Sequence, residues 1–294
     1  SCPRRHASST MNYRHVYHAG NFADVLKHFM LSRVIVHLKQ KAAPFRVIDT
    51  HAGAGLYDLH SEQAAKTGEW HEGIGRLLEA KIPAELAGLF APLVEAVWRV
   101  NDGAHQRPIT RYPGSPVIAA ELVRPDDVIF ANELHPDDRR ALERALSPYR
   151  NARVLGLDGY VALKSLLPPK ERRGVVLIDP PFEETGELQQ LTQGLREGVR
   201  RFSTGTFLLW FPIKDPSSIA AFKRELAGLG LPKLLVVEFY VRAPDDVERL
   251  NGHGLAVLNP PYTLAPELVR VLPFLSSVLR QGYGARFAVD WLSK

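Results

Sequence analysis

PFRVIDTHAGAG, residues 44–55, reads as a buried strand that ends in a glycine turn. The β-branched Val47 and Ile48 favour an extended chain, and Gly53 and Gly55 allow a tight turn and a close approach of the backbone to a ligand. The turn lacks the GxGxxG of a dinucleotide site and the GK[ST] of a phosphate loop. This stretch predicts the first strand of an open α/β sheet, and it is either a ligand loop or only a turn between strand and helix.

Seven further apolar stretches have the length and composition of strands. They are DDVIFANE (126–133), ARVLGLD (152–158), GVVLIDP (174–180), GTFLLWF (205–211), KLLVVEFYV (233–241), GLAVLNP (254–260) and ARFAVDW (285–291). Helical patterns at 137–150 and 159–167 separate the early ones, which predicts a doubly wound, mostly parallel sheet. The last three have less helix between them, which predicts an antiparallel C-terminal edge.

Residues from about 57 to 113 interrupt this alternation, because they contain helical material such as ELAGLFAPLVEAVWRV (85–100) and no convincing strand. We therefore predict one α/β domain formed by 11–56 and 111–294, with a small inserted helical subdomain at 57–110. Residues 1–10 precede Met11 and are expected to be an upstream extension or a cloning remnant.

Composition excludes several classes of protein. The 294 residues are 45% hydrophobic and 23% charged, enough to bury a substantial core. The apolar runs are much shorter than the roughly 20 residues that cross a bilayer, and the single cysteine, Cys2, leaves the body of the chain without a disulfide. The sequence contains no HExxH motif and no paired Cys/His spacing, so it predicts no metal site. We expect a monomer in the reducing cytoplasm, and the net charge of +5 is compatible with a polyanionic partner.

Acidic residues follow three successive strands. Asp49 ends the first, Glu133 the second and Asp158, followed by Gly159, the third. In an open parallel sheet these positions share one edge. A carboxylate at 133 suits a ribose diol, and Asp158 with Gly159 suits an adenine amino group. One such acid more often caps a loop or helix, but three together favour a nucleoside cofactor.

IDPPFE, residues 178–183, follows the fourth strand and predicts chemistry on an exocyclic amine. The lone pair of such an amine is conjugated into its ring, so catalysis has to redirect that lone pair towards a methyl sulfonium. The Asp179 carboxylate and the Pro180 carbonyl can accept the two amine protons, and Phe182 can stack on a flipped base. The alternative is a strand that ends in a rigid prolyl turn.

LNPPYT, residues 258–263, is nearly the same signature a second time. Asp179 ends a strand expected beside the first strand, where a cofactor and a substrate can share a cleft. Asn259 ends a strand in the predicted antiparallel edge, which delivers its end to the opposite side of the sheet. We therefore assign catalysis to Asp179 and predict a structural turn at 259–262.

Several stretches together resemble one family. They are MNYRHVYHAGNFADVLKH (11–28), DTHAGAG (49–55), RYPGSP (111–116), NELHP (132–136), DG (158–159) and IDPPFE (178–183). From Met11 onward the chain is similar to the RlmJ family of bacterial 23S ribosomal RNA adenine-N6 methyltransferases. The block YRHxxHAGNxADVLKH is its most specific feature.

The resemblance implies a Rossmann-like, S-adenosylmethionine-dependent methyltransferase that acts on 23S ribosomal RNA and needs no metal. It implies Asp179 as the catalytic acid, and a role at the RNA for Tyr13 and its neighbours. It also implies cofactor contacts at the following positions: His28, His51, Ser115, Glu133, Asp158 and Gly159. Phe182 departs from the family, where tyrosine is common; stacking survives this change and a hydroxyl hydrogen bond does not.

The N-terminal block also has a reading of its own. Tyr13, Arg14, His15 and His18 combine aromatic, cationic and imidazole groups suited to RNA, or they are surface residues before a helix. Lys27 either faces the carboxylate of the cofactor or is exposed to solvent. We include Lys27, Gly53 and Asp179 among the predicted cofactor contacts.

Two other functions stay open at this point. Guanine-N2 methylation of RNA or adenine-N6 methylation of DNA would use the same motif. A non-catalytic RNA-binding module would keep the fold and the cofactor pocket without the chemistry.

Overall fold

The structure is a computed structural model that describes residues 15–103, 108–183 and 185–294. The predictions for residues 1–10, for Tyr13 and for Arg14 lie outside these described residues. The strands are β1 Arg46–Asp49, β2 Leu56–Asp58, β3 Arg111–Pro113, β4 Val128–Asn132, β5 Ala152–Leu155, β6 Gly174–Ile178, β7 Thr206–Ile213, β8 Leu234–Tyr240, β9 Gly252–Leu258 and β10 Arg286–Ser293.

Helices alternate with these strands. They are α1 Phe22–Leu38, α2 Glu62–Thr67, α3 Ile74–Glu79, α4 Ala84–Arg99, α5 Ser115–Leu122, α6 Pro136–Leu146, α7 Gly159–Leu166, α8 Glu187–Arg201, α9 Pro216–Gly228 and α10 Leu264–Leu279. Short 3₁₀ helices span His15–Tyr17 and Glu69–Glu72. Each described helix is too short or too polar to cross a bilayer.

Eight strands form one sheet in the order β10-β8-β9-β7-β6-β1-β4-β5. Strands β5, β4, β1, β6 and β7 are mutually parallel, while β9 is antiparallel to β7 and β8, and β10 is antiparallel to β8. The predicted mostly parallel sheet with an antiparallel C-terminal edge is therefore confirmed. The carboxyl ends of β1, β4, β5 and β6 meet at one edge.

The sheet is covered on both faces because its strands carry apolar side chains in both directions. In β6, Val175 and Leu177 face a core that includes α1, α5 and α10. Val176 and Ile178 face the opposite core, which is formed with α7, α8 and α9. Burial on both faces explains why β6 reads as a continuous apolar run rather than an alternating one.

Residues 57–110 form mainly helices, as predicted, but they also contain strand. Strand β2, at the start of this segment, pairs antiparallel with β3, which directly follows it, so the expectation of no strand between about 57 and 113 was wrong. Three-residue strands leave no alternation of polar and apolar residues to detect. The helices α3 and α4 between them pack into the same apolar core as α1 and α10.

Helix α1 positions the N-terminal side of the site. Its cap is Asn21, whose side-chain oxygen accepts a hydrogen bond from the Asp24 backbone N–H at 3.0 Å. The helix is buried along most of its length, including the polar residues Asp24, Lys27 and His28. Because charged groups are rarely buried without partners, these three residues are expected to pair with neighbouring side chains.

Candidate active site

A cavity of about 580 Å³ opens at the carboxyl ends of β1, β4 and β6. Its position agrees with the rule that open α/β sheets bind ligands beyond these ends. Most residues predicted from the sequence line it: His15, His18, Lys27, His28, His51, Gly53, Ser115, Glu133, Asp158, Gly159, Asp179 and Pro180. The structure therefore brings these predicted positions together in one cleft.

Lys27 and Asp179 form an ion pair in this cavity. The Lys27 ammonium lies 2.5 Å from Asp179 Oδ2 and 2.9 Å from Asp24 Oδ1. Burial opposes a charge on Lys27, but the two carboxylates outweigh burial and raise the pKa of the ammonium above its usual value. The alternative of a solvated Lys27 is wrong, since its side chain is 4% exposed, while that of Asp179 is 15% exposed.

Asp24 joins this network to the N-terminal segment. Its Oδ2 lies 3.0 Å from His15 Nε2 and accepts a hydrogen bond from the Gly20 backbone N–H at 2.9 Å. Burial alone would raise the pKa of the Asp24 carboxyl, but neighbouring His15 and Lys27 hold that pKa well below its usual range. The buried charges are thus mutually compensated.

The predicted RNA-side histidines lie at the rim of the cavity. The His15 ring lies 5.2 Å from the Tyr57 ring, measured between centroids. His18 Nδ1 lies 3.0 Å from Glu69 Oε2, which also accepts a hydrogen bond from the Asn21 amide at 3.2 Å. These contacts tie the N-terminal segment to the 3₁₀ helix Glu69–Glu72 of the insertion.

The glycine turn after β1 is held by Glu133. The Glu133 carboxylate accepts backbone N–H bonds from Gly53 at 2.8 Å and from His135 at 2.9 Å. Gly53 has φ +66°, and a Cβ there would lie 2.3 Å from the Tyr57 hydroxyl oxygen. Glycine is required both by this left-handed conformation and by the lack of space.

Asp158 is the N-cap of α7. Its Oδ1 accepts hydrogen bonds from the backbone N–H groups of Tyr160 at 3.0 Å and Val161 at 3.1 Å, so the helix-cap role is real. Gly159 lies directly against the His51 ring. A Cβ added at Gly159 would be 2.3 Å from His51 Nε2. A cap role and a cofactor contact are compatible, since a carboxylate has about four acceptor sites.

Two histidines of the cavity, the buried His28 and the half-buried His51, are neutral at physiological pH. Burial lowers the pKa of His28 to about 3 and that of His51 to about 4. His28 Nδ1 lies 2.6 Å from the Tyr112 hydroxyl, and His51 Nδ1 lies 2.8 Å from Thr50 Oγ1. Lys27, rather than these imidazoles, therefore supplies positive charge to the cavity.

Asp49 is connected to the cavity through Ser115. The Ser115 hydroxyl donates to Asp49 Oδ2 at 2.5 Å. Burial raises the pKa of the Asp49 carboxyl to about 7, although the hydrogen bond from Ser115 opposes that rise. Asp49 is the last residue of β1, which pairs with β6. Asp179 directly follows β6, so the two acids lie at the same end of neighbouring strands.

Phe182 takes a position that the sequence did not predict. It has φ +54°, an uncommon conformation for a residue with a side chain. Its ring packs edge to face with Trp210, with centroids 5.7 Å apart, and is partly buried against both cores. Trp210 lies within β7, one residue beyond the stretch that pairs with β6, and lines the cavity together with Pro180 and Pro181.

Comparison with known proteins identifies the family. The family model described as "Ribosomal RNA large subunit methyltransferase D, RlmJ" matches residues 42–293. "Ribosomal RNA large subunit methyltransferase J" of Escherichia coli strain K12 is 40% identical over 283 residues, covering 96% of this chain and 99% of that protein. The chain belongs to the RlmJ family. The resemblance inferred from the sequence is thereby confirmed.

Two further relatives of the RlmJ family agree. "Ribosomal RNA large subunit methyltransferase J" of Haemophilus influenzae is 38% identical over 284 residues, covering 96% of this chain and 99% of that protein. The crystal structure of protein LPL1258 from Legionella pneumophila superposes with a TM-score of 0.83 at 30% identity, covering 93% of this chain and 98% of that chain. The α/β methyltransferase fold is thus supported by an experimental structure.

The second prolyl motif of this RlmJ-family chain lies away from the cavity. The Asn259 amide donates to the carbonyl oxygens of Ser203 and Gly205, both at 2.9 Å. These two residues precede the amino end of β7, whereas Asp179 follows the carboxyl end of the parallel strand β6. Tyr262 is 81% exposed. The motif therefore forms a turn at the end of the strands opposite to Asp179.

Sequence reasoning missed Asp24 and Trp210. Asp24 lies three residues before Lys27 on α1, so the spacing alone places the two on one helix face. Trp210 lies near the carboxyl end of the predicted strand 205–211, where the strand-end argument applied to the other strands could have found it. Among the described residues no group of three or more His, Cys, Asp or Glu side chains is arranged to hold a metal ion.

Proposed function

We propose that this enzyme transfers the methyl group of S-adenosylmethionine to the exocyclic N6 of an adenine in 23S ribosomal RNA. Membership of the RlmJ family supports the enzyme class, its cofactor and its ribosomal RNA substrate. The observation that carries the mechanism is that Asp179 and the residues suited to a nucleoside cofactor line one cavity.

The residues of the cavity fit the cofactor. Glu133 and Asp158 place carboxylate oxygens where ribose hydroxyls and an adenine amine need acceptors. Gly53 and Gly159 keep side-chain atoms out of this part of the cleft, since a Cβ at either would strike Tyr57 or His51. Bound there, S-adenosylmethionine supplies an electrophilic methyl group. Lys27, His28, His51 and Ser115 complete the proposed cofactor contacts.

Asp179 acts on the amine. Its carboxylate and the Pro180 carbonyl accept hydrogen bonds from the two N6–H groups, which directs the nitrogen lone pair away from the purine ring system. Asp179 then accepts the proton that nitrogen releases after methyl transfer. The Lys27 ammonium at 2.5 Å fixes the carboxylate in position, and such fixed geometry is a large part of catalysis.

Phe182 is the proposed stacking platform for the flipped adenine. Its ring contacts Trp210 edge to face, and Trp210 lines the cavity beside Pro180 and Pro181. Stacking needs only the ring, and therefore phenylalanine can replace the tyrosine common in the family.

The RNA is proposed to approach over the N-terminal segment and the insertion. His15 and His18 lie at the cavity rim, and Tyr13 and Arg14 directly precede them in the sequence. Residues 57–110 are proposed to form a subdomain that contributes to RNA selection. We also propose a monomer that works in the cytoplasm on ribosomal RNA.

The identity of the methylated base tests the proposal. The enzyme is incubated with 23S ribosomal RNA and isotopically labelled S-adenosylmethionine, and the digested nucleosides are analysed by mass spectrometry. Labelled N6-methyladenosine is the expected product. N2-methylguanosine as the sole product, or transfer only to DNA, would replace the proposal by one of the two alternatives. Calorimetry without cofactor binding would instead favour a non-catalytic RNA-binding module.

A further inference from the structure

A second cavity of about 280 Å³ lies in the insertion, outside the catalytic cleft. It is formed by the turn before α2, by the end of α2 and by the 3₁₀ helix Glu69–Glu72. His60, Gly68, Trp70 and His71 line it. Two imidazoles and an indole around one hollow are a composition suited to an aromatic, hydrogen-bonding ligand.

The floor of this cavity is an aromatic stack. The His71 ring lies on the Trp70 ring with centroids 3.8 Å apart and an interplanar angle of 28°. Trp70 is 7% exposed and anchored in the core, whereas His71 is exposed. A ring that is immobilised on one side and accessible from solvent offers a stacking platform for a base.

The walls are held by backbone and cap hydrogen bonds. The His60 backbone N–H donates to Asp58 Oδ1 at 2.9 Å, and the Leu59 N–H donates to the Thr110 carbonyl at 2.9 Å. Gly68 ends α2 with φ +57°, a left-handed cap that turns the chain towards Trp70. The cavity is therefore preformed, and a ligand need not pay to order it.

Glu69 connects the 3₁₀ helix that borders this second cavity to residues of the catalytic one. Glu69 Oε2 contacts His18 and Asn21, which both line the catalytic cavity. His71 follows Glu69 by two residues and lines the second cavity. The Cα atoms of Glu69 and His71 are therefore at most about 7 Å apart.

We propose that the second cavity binds an unpaired base of the RNA substrate, close to the methylated adenine in the strand. The base stacks on the His71 ring and directs its polar edge towards His60. This inference rests on the proposed function. Sequence-specific RNA recognition commonly uses splayed, unpaired bases held by aromatic side chains, and a second base pocket would help to distinguish one adenine from the many others.

Replacement of the exposed ring tests the subsite. Affinity for an in vitro transcript of 23S ribosomal RNA is measured by filter binding for His71→Ala, His71→Phe and His60→Ala. His71→Ala is expected to weaken binding about tenfold, in line with the loss of one stacked base. His71→Phe keeps a ring and is expected to retain most of the affinity. Calorimetry is expected to show unchanged cofactor affinity in all three variants.

Tyr262→Ala is the matched control, because it removes an exposed aromatic ring at the opposite edge of the sheet. Its RNA affinity is expected to equal that of the wild type. Equal affinity of His71→Ala and wild type would overturn the subsite, and so would a loss in His71→Phe as large as in His71→Ala. Either result leaves the proposed function standing, provided that the wild type still forms N6-methyladenosine.

Discussion

The ammonium of Lys27 lies 2.5 Å from the carboxylate of Asp179, although 152 residues separate them in the chain. Helix α1 delivers the cation and the end of β6 delivers the acid. Asp24 contacts the same ammonium at 2.9 Å. The catalytic carboxylate is therefore one member of a buried network whose charges depend on each other.

Lys27→Met is expected to destabilise the protein as well as impair methyl transfer. It leaves Asp24 and Asp179 without their shared cation, and removal of one member of a buried pair costs about 3–5 kcal/mol. Urea unfolding at pH 7 measures the loss. Lys223→Met is the control, since Lys223 pairs with Glu238 at a more exposed site and is expected to cost less than about 1 kcal/mol. Equal losses in the two variants would contradict a buried network.

The pH dependence of Lys27→Met follows from Asp24. The lowered pKa of Asp24 gives the wild type stability that is present above about pH 4 and is lost as the pH falls further. Without Lys27 that pKa is lowered less, so the variant loses less stability between pH 5 and 3. Unfolding curves across this range check the direction.

Asp49→Asn is expected to stabilise the protein near neutral pH. The pKa of Asp49 is raised to about 7 in the folded state, against about 3.9 in an unfolded chain. As the pH rises from 4 to 7 the unfolded state releases this proton before the folded state does, so wild-type stability falls, by up to roughly 4 kcal/mol. The amide cannot ionise, and the variant's stability curve is expected to be flatter. Parallel pH profiles of the two proteins would contradict the buried, protonated acid.

Gly159→Ala tests the fit between Gly159 and His51. The added Cβ would lie 2.3 Å from His51 Nε2, so the ring has to move within the proposed cofactor site. Calorimetry is expected to show at least about tenfold weaker cofactor binding, a cost of 1.4 kcal/mol or more. Gly88→Ala is the control, because a Cβ there meets nothing within 4 Å. It lies inside α4 and is expected to add about 0.5–1 kcal/mol of stability. Unchanged cofactor affinity in Gly159→Ala would exclude His51 from the site.

The sheet could be predicted because its strands carry a local signal. β1 and β6 are short runs of β-branched residues that end in an acid, and parallel packing makes such ends meet. This placed Asp49, Glu133, Asp158 and Asp179 at one edge before any coordinates. The reversed direction of β9, suggested by the scarcity of helix around it, was sufficient to separate Asn259 from the site.

Other features depend on tertiary contacts that no local pattern contains. The partner of Lys27 lies on a distant element, so the sequence could not decide between a buried and a solvated side chain. The positive φ of Phe182 and its packing on Trp210 depend on how the prolyl turn meets β7. The strands β2 and β3 are too short to show a period, and pairing with each other is what makes them strands.

Methyl transfer by two matched variants decides whether Asp179, and not Asn259, performs the chemistry. Formation of N6-methyladenosine in 23S ribosomal RNA is measured by mass spectrometry for wild type, Asp179→Asn and Asn259→Ala, after thermal melting has shown that each is folded. Asp179→Asn is expected to lose at least about 100-fold in turnover, and Asn259→Ala is expected to stay close to the wild type. Wild-type turnover in Asp179→Asn, or its loss in Asn259→Ala alone, would contradict the catalytic role of Asp179.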